Sequence, residues 1–321
     1  MTAVLPIGVM IPTRNCASLI PTHLSTLQPL LNLVAEVVVV DSDSTDGTVD
    51  LLRAGLAHPN VRFLNHPPGL YQSWNHGLKN IRSPYVYIST VGDSITPSGL
   101  IHLHENAQRL GVDAVVSRPR LVDEGGAALP DGRWPMDDAL RRLSLTAPRT
   151  LTPVQQFLFA VTNLSGAFIG SSASNLYRTA CLQARPFSAD YGIAGDCAWL
   201  IENVFEVSVA LSPERCSVFR FHRKAYAPQD YEVTAPALKF LRLAQTVVRA
   251  RAPQELLLAA RWDELEPLLE TALTAHYELE ALRHHSVPWF FHPTAWRARA
   301  RRNRAESRIE SIKTQVLGAL S

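Results

Sequence analysis

Four consecutive valines, Val37 to Val40, run into Asp41 and constrain this chain more than any other stretch. With no polar residue alternating among them, they suit a strand covered on both faces, as in a parallel sheet sandwiched between helices. The strand stops at Asp41-Ser-Asp-Ser-Thr-Asp-Gly-Thr48, whose Ser, Thr and Gly favour a turn, and Thr48-Val-Asp-Leu-Leu-Arg opens a helical pattern. Asp41, Asp43 and Asp46 therefore gather outside the carboxyl end of a central strand, where open α/β sheets bind their ligands. Asp46 or Thr45 also suits a helix N-cap, a role that needs no ligand. Spacing excludes a calcium loop: counted from Asp41, the sixth and twelfth places hold Asp46 and Leu52 instead of Gly and Glu.

The surrounding pattern is that of alternating strands and helices. Ile7 to Ile11 reads as the first buried strand, and Pro12-Thr13-Arg14-Asn15 as the turn leaving it. Ile20, Leu24, Leu27 and Leu31 recur at helical spacing, Val61 to Leu64 reads as a third strand, Tyr71 to Ile81 as a helix and Tyr85 to Ser89 as a fourth strand. Repeated strand–helix–strand units imply right-handed crossovers and a parallel sheet. A helix follows from Pro97 to about Gly111, then a strand from Val112 to Ser117. From Arg118 to Pro153 the periodicity breaks down, with one helix expected around Met136 to Leu145; such an irregular insertion is usually functional or mobile. Val207 to Leu211 and Cys216 to Phe221 read as further strands, and three helices close the chain: Leu238 to Arg251, Gln254 to Arg283 and Thr294 to Leu320.

Composition narrows the function. A length of 321 residues allows one large α/β domain with an extension, and a formal charge of +2 gives no global attraction to nucleic acid, which is not expected as a partner. Cys16, Cys181, Cys197 and Cys216 form no CxxC pair, which fits reduced thiols in a cytosolic setting. No stretch approaches 18 uninterrupted apolar residues and the first strand begins almost at once, so neither a signal peptide nor a membrane span is expected. No Gly-x-Gly-x-x-Gly follows the first strand and no Gly-Lys-Ser/Thr loop occurs, which disfavours dehydrogenases, methyltransferases and NTPases.

Ile11-Pro-Thr-Arg-Asn15 after the first strand, followed by Val-Val-Asp41-Ser-Asp-Ser-Thr-Asp-Gly-Thr48, resembles the N-terminal signature of family 2 glycosyltransferases. The resemblance extends to about residue 225. It implies a GT-A-type α/β fold, with a mostly parallel, Rossmann-like sheet flanked by helices. The catalytic domain would span 1–230, with a donor half at about 1–117 and an acceptor half at about 118–230, and 231–321 would form a helical extension. Pro12, Thr13, Arg14, Asn15, Asp41 and Asp43 would contact the donor nucleotide. Asn75 and Gly77 match the family's Ala-Arg-Asn-x-Gly segment and join the donor set, but Trp74 replaces the Arg. That shifts the task of the missing Arg to Arg14, Lys79 or Arg82, while Trp74 suits core packing.

The same resemblance locates the chemistry. The family ends a strand in an Asp-x-Asp-type motif that holds Mg²⁺ or Mn²⁺ against the donor diphosphate, whose developing charge a hard cation neutralises. Ser89-Thr-Val-Gly-Asp-Ser94 keeps Asp93 alone, so Asp93, with His222 after a later strand, forms the implied metal set; Asp93 also suits a plain turn and His222 a structural role. Phe187 to Trp199 resembles the segment whose last carboxylate is the catalytic base, which here is Asp196. An acceptor hydroxyl needs such a group to take its proton, although Asp196 also suits a helix cap. Gly170, Ser171 and Ser172 would let the acceptor approach the backbone closely, and Trp134 in the irregular insertion is an acceptor candidate.

These expectations describe an inverting, divalent-metal-dependent transfer of sugar from a nucleotide-sugar donor to a glycan or other acceptor hydroxyl. The alternative, motivated by the reduced Thr90-Val-Gly-Asp93 motif, is a non-catalytic nucleotide-sugar or glycan-binding module. In the extension, Arg297, Arg299, Arg301, Arg302 and Arg304 follow the aromatic residues Trp289, Phe290, Phe291 and Trp296. Aromatics beside clustered Arg can seat 289–304 peripherally on the inner face of a membrane, and such a charge run equally suits a solvated or partner-facing helix. A cytoplasmic protein is expected on either reading.

Overall fold

The computed structural model describes residues 4–130, 134–163, 167–221, 236–251, 256–283 and 293–319. The chain opens as β1 (Leu5–Thr13), α1 (Ile20–Leu27), β2 (Val34–Asp41), α2 (Thr48–Gly55), β3 (Val61–Asn65), α3 (Leu70–Asn80) and β4 (Tyr85–Ile88). It continues as β5 (Ser94–Ile95), α4 (Pro97–Leu110), β6 (Ala114–Ser117), β7 (Arg120–Val122), α5 (Asp137–Arg142), β8 (Arg149–Thr150) and α6 (Pro153–Val161). Then come β9 (Asn175–Arg178), α7 (Thr179–Ala184), α8 (Gly195–Asn203), β10 (Val209–Ser212) and β11 (Ser217–Arg220). Three long helices end the chain: α9 (Pro236–Arg251), α10 (Leu256–Arg283) and α11 (Pro293–Gly318).

An eight-stranded sheet runs in the order β3-β2-β1-β4-β9-β6-β10-β8. Strands β3, β2, β1 and β4 are mutually parallel, as are β6 and β10, while β9 lies antiparallel between β4 and β6 and β8 is antiparallel at the edge. The valine run behaves as its composition requires: Val37 to Val40 are buried on both faces, Val38 and Val40 in one core cluster and Val37 and Val39 in the other. Gly77 permits the close approach of α3 to this sheet, since a Cβ there would lie 2.6 Å from both Met10 Sδ and Val40 Cγ2. Pro97 stands first in α4 behind the N-cap Thr96, whose hydroxyl accepts from Gly99 N.

The extension helices are not an appendage. Phe240, Ala244, Trp262 and Leu265 share the core cluster of Phe157 and Trp199, and the rings of Phe157 and Trp262 meet edge to face at 5.4 Å. Lys313 of α11 is buried, ion-paired to Asp138 of α5, with its ammonium 5.5 Å from the Phe159 ring. Burial works to raise the Asp138 carboxyl, and the Lys313 and Arg142 cations outweigh it and pull the group below the usual carboxylate range.

The irregular stretch after Arg118 holds more regular structure than its sequence suggests. Short strands β7 and β8 form there, helix α6 follows directly, and β7 joins β11 and β5 in a separate three-stranded sheet. No described helix is long and apolar enough to cross a membrane.

Candidate active site

Topology gathers Asp41, Asp93, the Gly170–Ser174 turn and Asp196 at one edge of the large sheet. Asp41 ends β2, and Asp93 follows β4 by five residues. Strand β9 is antiparallel, so the turn that precedes it, Gly170 to Ser174, lies at the carboxyl edge of its parallel neighbours. Helix α8 returns the chain to the start of β10, which puts its first turn, with Asp196, at that same edge. This is where ligands bind in open α/β sheets.

The turns leaving β1 and β2 are stitched together. Asp41 is buried and accepts from Thr13 Oγ1 (3.1 Å), Ser44 N (2.8 Å) and Ser44 Oγ (2.5 Å). Asn15 N donates to Ser44 Oγ and Asn15 Oδ1 accepts from Thr45 N, each at 2.9 Å. Asn15 and Asp43 sit at φ 47° and 53°, the left-handed region that Asn and Asp tolerate best among residues with a Cβ. Asp43 is exposed and accepts from Asn65 Nδ2, while Pro12 is half-buried and Arg14 exposed beside it. Gly47, not Asp46 or Thr45, is the N-cap of α2 and makes no side-chain cap bond. Asp46 instead accepts from Ala17 N and from the Thr48 hydroxyl and amide, which hold its carboxyl below the usual range.

Asp93 is buried and surrounded by donors. Its Oδ1 accepts from Arg220 N at 3.0 Å, and its Oδ2 accepts from Ser171 Oγ at 3.0 Å and Thr90 Oγ1 at 3.1 Å. Burial pushes its carboxyl up to about 6, against the opposing pull of those donors. The small sheet positions this group, since β5 and β11 pair immediately beside it. Beneath, His23 is buried with Nε2 3.3 Å from Ser89 Oγ, and burial lowers it to about 4, so it stays neutral.

Asp196 lies in the first turn of α8, whose N-cap is Ala194, so capping does not account for it. The Tyr71 hydroxyl of α3 donates to Ile193 O at 2.9 Å and accepts from Asp196 N at 3.1 Å, clamping the loop ahead of the helix. Gly195 makes that contact possible, because a Cβ there would lie 2.4 Å from the Tyr71 ring. Asp196 Oδ1 accepts from Cys197 N at 2.8 Å, and burial pushes the carboxyl up to about 6. The Tyr177 phenol is raised first by burial and further by the negative charge of Asp196, which puts the two close together.

The other expected residues fall into two groups. Asn75 pairs both ends of its amide with the Phe187 backbone, at 2.8 and 3.0 Å, and thereby holds the segment that leads to Asp196. Trp74 packs edge to face on Tyr71 and Phe187. The Trp134 indole lies against Gly170, which has φ 59° and where a Cβ would come within 2.6 Å of Trp134 Nε1. Trp134 Nε1, Ser172 Oγ, Asn175 Oδ1 and Arg220 Nε are buried without a hydrogen-bond partner, a concentration of unmet polar atoms typical of a ligand site. His222 lies outside the described residues.

Among the described residues no group of three His, Cys, Asp or Glu could hold a metal ion. The donors on Asp93 occupy three of its roughly four lone-pair sites, so it has room for about one metal bond. That fits Mg²⁺ or Mn²⁺ coordination in which substrate phosphate oxygens and waters supply the other ligands.

Sequence reading did not find the Asp93 partners Thr90, Ser171 and Arg220, nor the clamp made by Tyr71. Each depends on contacts far apart in the chain, such as the 125 positions between Tyr71 and Asp196.

Comparison with known proteins identifies the chain. The family model described as Glycosyl transferase family 2 matches residues 8–172. Chondroitin synthase of Escherichia coli is 26% identical over 173 residues, covering 53% of this chain and 25% of that protein, so the chain spans about a quarter of that relative's length. Of solved structures, S. aureus TarS 1-349 in complex with UDP-GlcNAc superposes with a TM-score of 0.54 at 16% identity, covering 98% of this chain and 92% of that one. Mannosyltransferase PcManGT from Pyrobaculum calidifontis, in complex with GDP-Man and Mn²⁺, gives 0.50 at 17% identity, covering 99% and 77%. At these identities the likeness establishes the fold, which is of the GT-A type. With the sequence match running from β1 through the turn that binds Asp93, the chain belongs to glycosyl transferase family 2.

Proposed function

We propose that this glycosyltransferase moves a sugar from a nucleoside diphosphate donor to an acceptor hydroxyl, with inversion, in the space between Asp93 and Asp196. The observation that carries this reading is the hydrogen bond from Ser171 Oγ to Asp93 Oδ2, which ties the donor-side turn to the stretch bearing Gly170 and Ser172. Unmet polar atoms at Trp134 and Ser172 support a place for sugar hydroxyls there.

Each residue then has a role. Thr13, Arg14, Asn15, Asp41 and Asp43 line the donor's nucleoside end, with Pro12 shaping the turn. Asn75 and Gly77 act from behind, by fixing the Phe187 segment and the α3–sheet contact. Gly170, Ser171, Ser172 and Trp134 seat the acceptor. Asp196 takes the proton of the acceptor hydroxyl as its oxygen bonds to the anomeric carbon; the bond from that carbon to the diphosphate breaks, and the nucleoside diphosphate leaves with the electron pair. A carboxyl raised to about 6 is a stronger base than an ordinary one and is still ionised at neutral pH. A divalent cation bound through Asp93, with His222 as a further candidate ligand, would neutralise charge developing on the diphosphate. The division into a donor half at about 1–117, an acceptor half at about 118–230 and an extension from 231 follows this assignment.

Donor hydrolysis measured across UDP- and GDP-sugars, with and without Mn²⁺, identifies the donor. Asp196→Asn should leave donor binding unchanged while lowering transfer by roughly 100- to 10,000-fold. Full transfer by that variant refutes the assignment of the base.

A further inference from the structure

Four arginines of α11 line up along one side of the helix. Ala298, Ala305, Ile309, Ile312 and Val316 are buried at intervals of seven, four, three and four residues, the seam by which the helix packs inward. About a quarter turn away, Arg297, Arg301, Arg304 and Arg308 repeat at i, i+4, i+7 and i+11 and are all exposed. They form one stripe about 16 Å long. Arg301 pairs with Glu278 of α10; among the described residues, Arg297, Arg304 and Arg308 have no acidic partner. The acids of the helix point elsewhere, Glu306 to Arg302 and Glu310 to Arg142 of α5. Trp296, directly before the stripe, is 65% exposed.

Folding does not explain this arrangement. Arginines three and four residues apart repel one another, and most of the stripe stands in the first half of the helix, towards the positive end of its dipole. Nor is the stripe a by-product of a basic chain, whose formal charge is only +2. An anionic partner removes the repulsion. Exposed arginines along one flank of the helix, with the exposed Trp296 indole about a third of a turn further towards the outer side, fit a plane of phosphate headgroups: guanidinium groups bind phosphate oxygens, and Trp favours the headgroup layer.

We propose that this face of α11 docks the protein on an anionic lipid surface. The test is flotation of the full chain with vesicles of phosphatidylcholine alone or with about 30% phosphatidylglycerol, at low and high salt. Expected is retention on the anionic vesicles only, reversed by salt. The R297Q/R304Q/R308Q variant, with circular dichroism and Tm unchanged, should bind them roughly 100-fold more weakly, about fivefold per arginine. W296A should weaken binding to the anionic vesicles at low salt. Failure of the wild-type chain to float, or equal flotation of the triple variant, overturns the proposal. Retention on heparin without retention on vesicles also overturns it, and assigns the stripe to a soluble polyanion.

Discussion

The Ser171 hydroxyl donates to Asp93 Oδ2 at 3.0 Å across 78 positions of sequence. Asp93 thereby becomes a buried carboxylate with three donors from three segments, Thr90, Ser171 and Arg220. Burial still outweighs those donors and leaves the group at about 6.

The stability of the protein should therefore carry a pH-dependent cost from Asp93. Below about pH 3.8 the group is protonated in both folded and unfolded chains and costs nothing. As pH rises through about 6 the folded chain must carry a buried charge, and stability is lost. Asp93→Asn should raise the unfolding free energy at pH 7.5 by about 1 to 3 kcal/mol and change nothing near pH 3.5. Denaturant titrations at the two pH values check this, and an equal effect at both contradicts the burial argument.

The pH–rate profile of transfer should report Asp196. The base must be ionised, so kcat/KM should be level above pH 7 and fall at least tenfold per unit below about 6, where Asp93 also takes up its proton. A profile that breaks near 4 instead would mean that the base is an ordinary solvated carboxylate.

Gly170 tolerates no side chain. Its φ of 59° and the Trp134 indole 2.6 Å from a built Cβ both oppose substitution. Gly170→Ala should cost about 1 to 3 kcal/mol of stability and shift Trp134, which raises the acceptor KM more than the donor KM. Thermal unfolding and steady-state kinetics with each substrate varied in turn separate the two effects.

Lys313 joins α11 to α5 through Asp138. Lys313→Ala should destabilise the chain by about 3 kcal/mol, because it leaves a half-buried carboxylate without its main cation. The double change Lys313→Met with Asp138→Asn should recover much of that loss. Chemical denaturation of the two variants is the measurement, and equal stability of both would assign the contact to packing alone.

How far the sequence discloses this molecule depends on the range of the interactions. The valine run and its acidic turn announce β2 because burial on both faces leaves a compositional mark. The last three helices are equally plain: Leu238 to Arg251 is expected and Pro236–Arg251 found. Helix α6 escapes notice because every residue from Val154 to Val161 is buried, so it shows no polar face and no period. Strands β5, β7 and β8, of two or three residues, take their conformation from distant partners and carry no local pattern. Asp41, Asp93 and Asp196 stand out in the sequence through their resemblance to family motifs. The pairing of Asn75 with Phe187, 112 positions away, is a tertiary fact with no local trace.

The meeting of Trp262 with Phe157 sets a limit on how this enzyme can be cut down. A chain ended before Pro236 would keep every acidic group proposed for transfer, yet leave a greasy scar where Phe240, Trp262 and Leu265 had rested. Such a fragment should precipitate or cling to chaperones instead of yielding a minimal transferase, so the smallest working unit extends well beyond residues 8–172, which the family model matches.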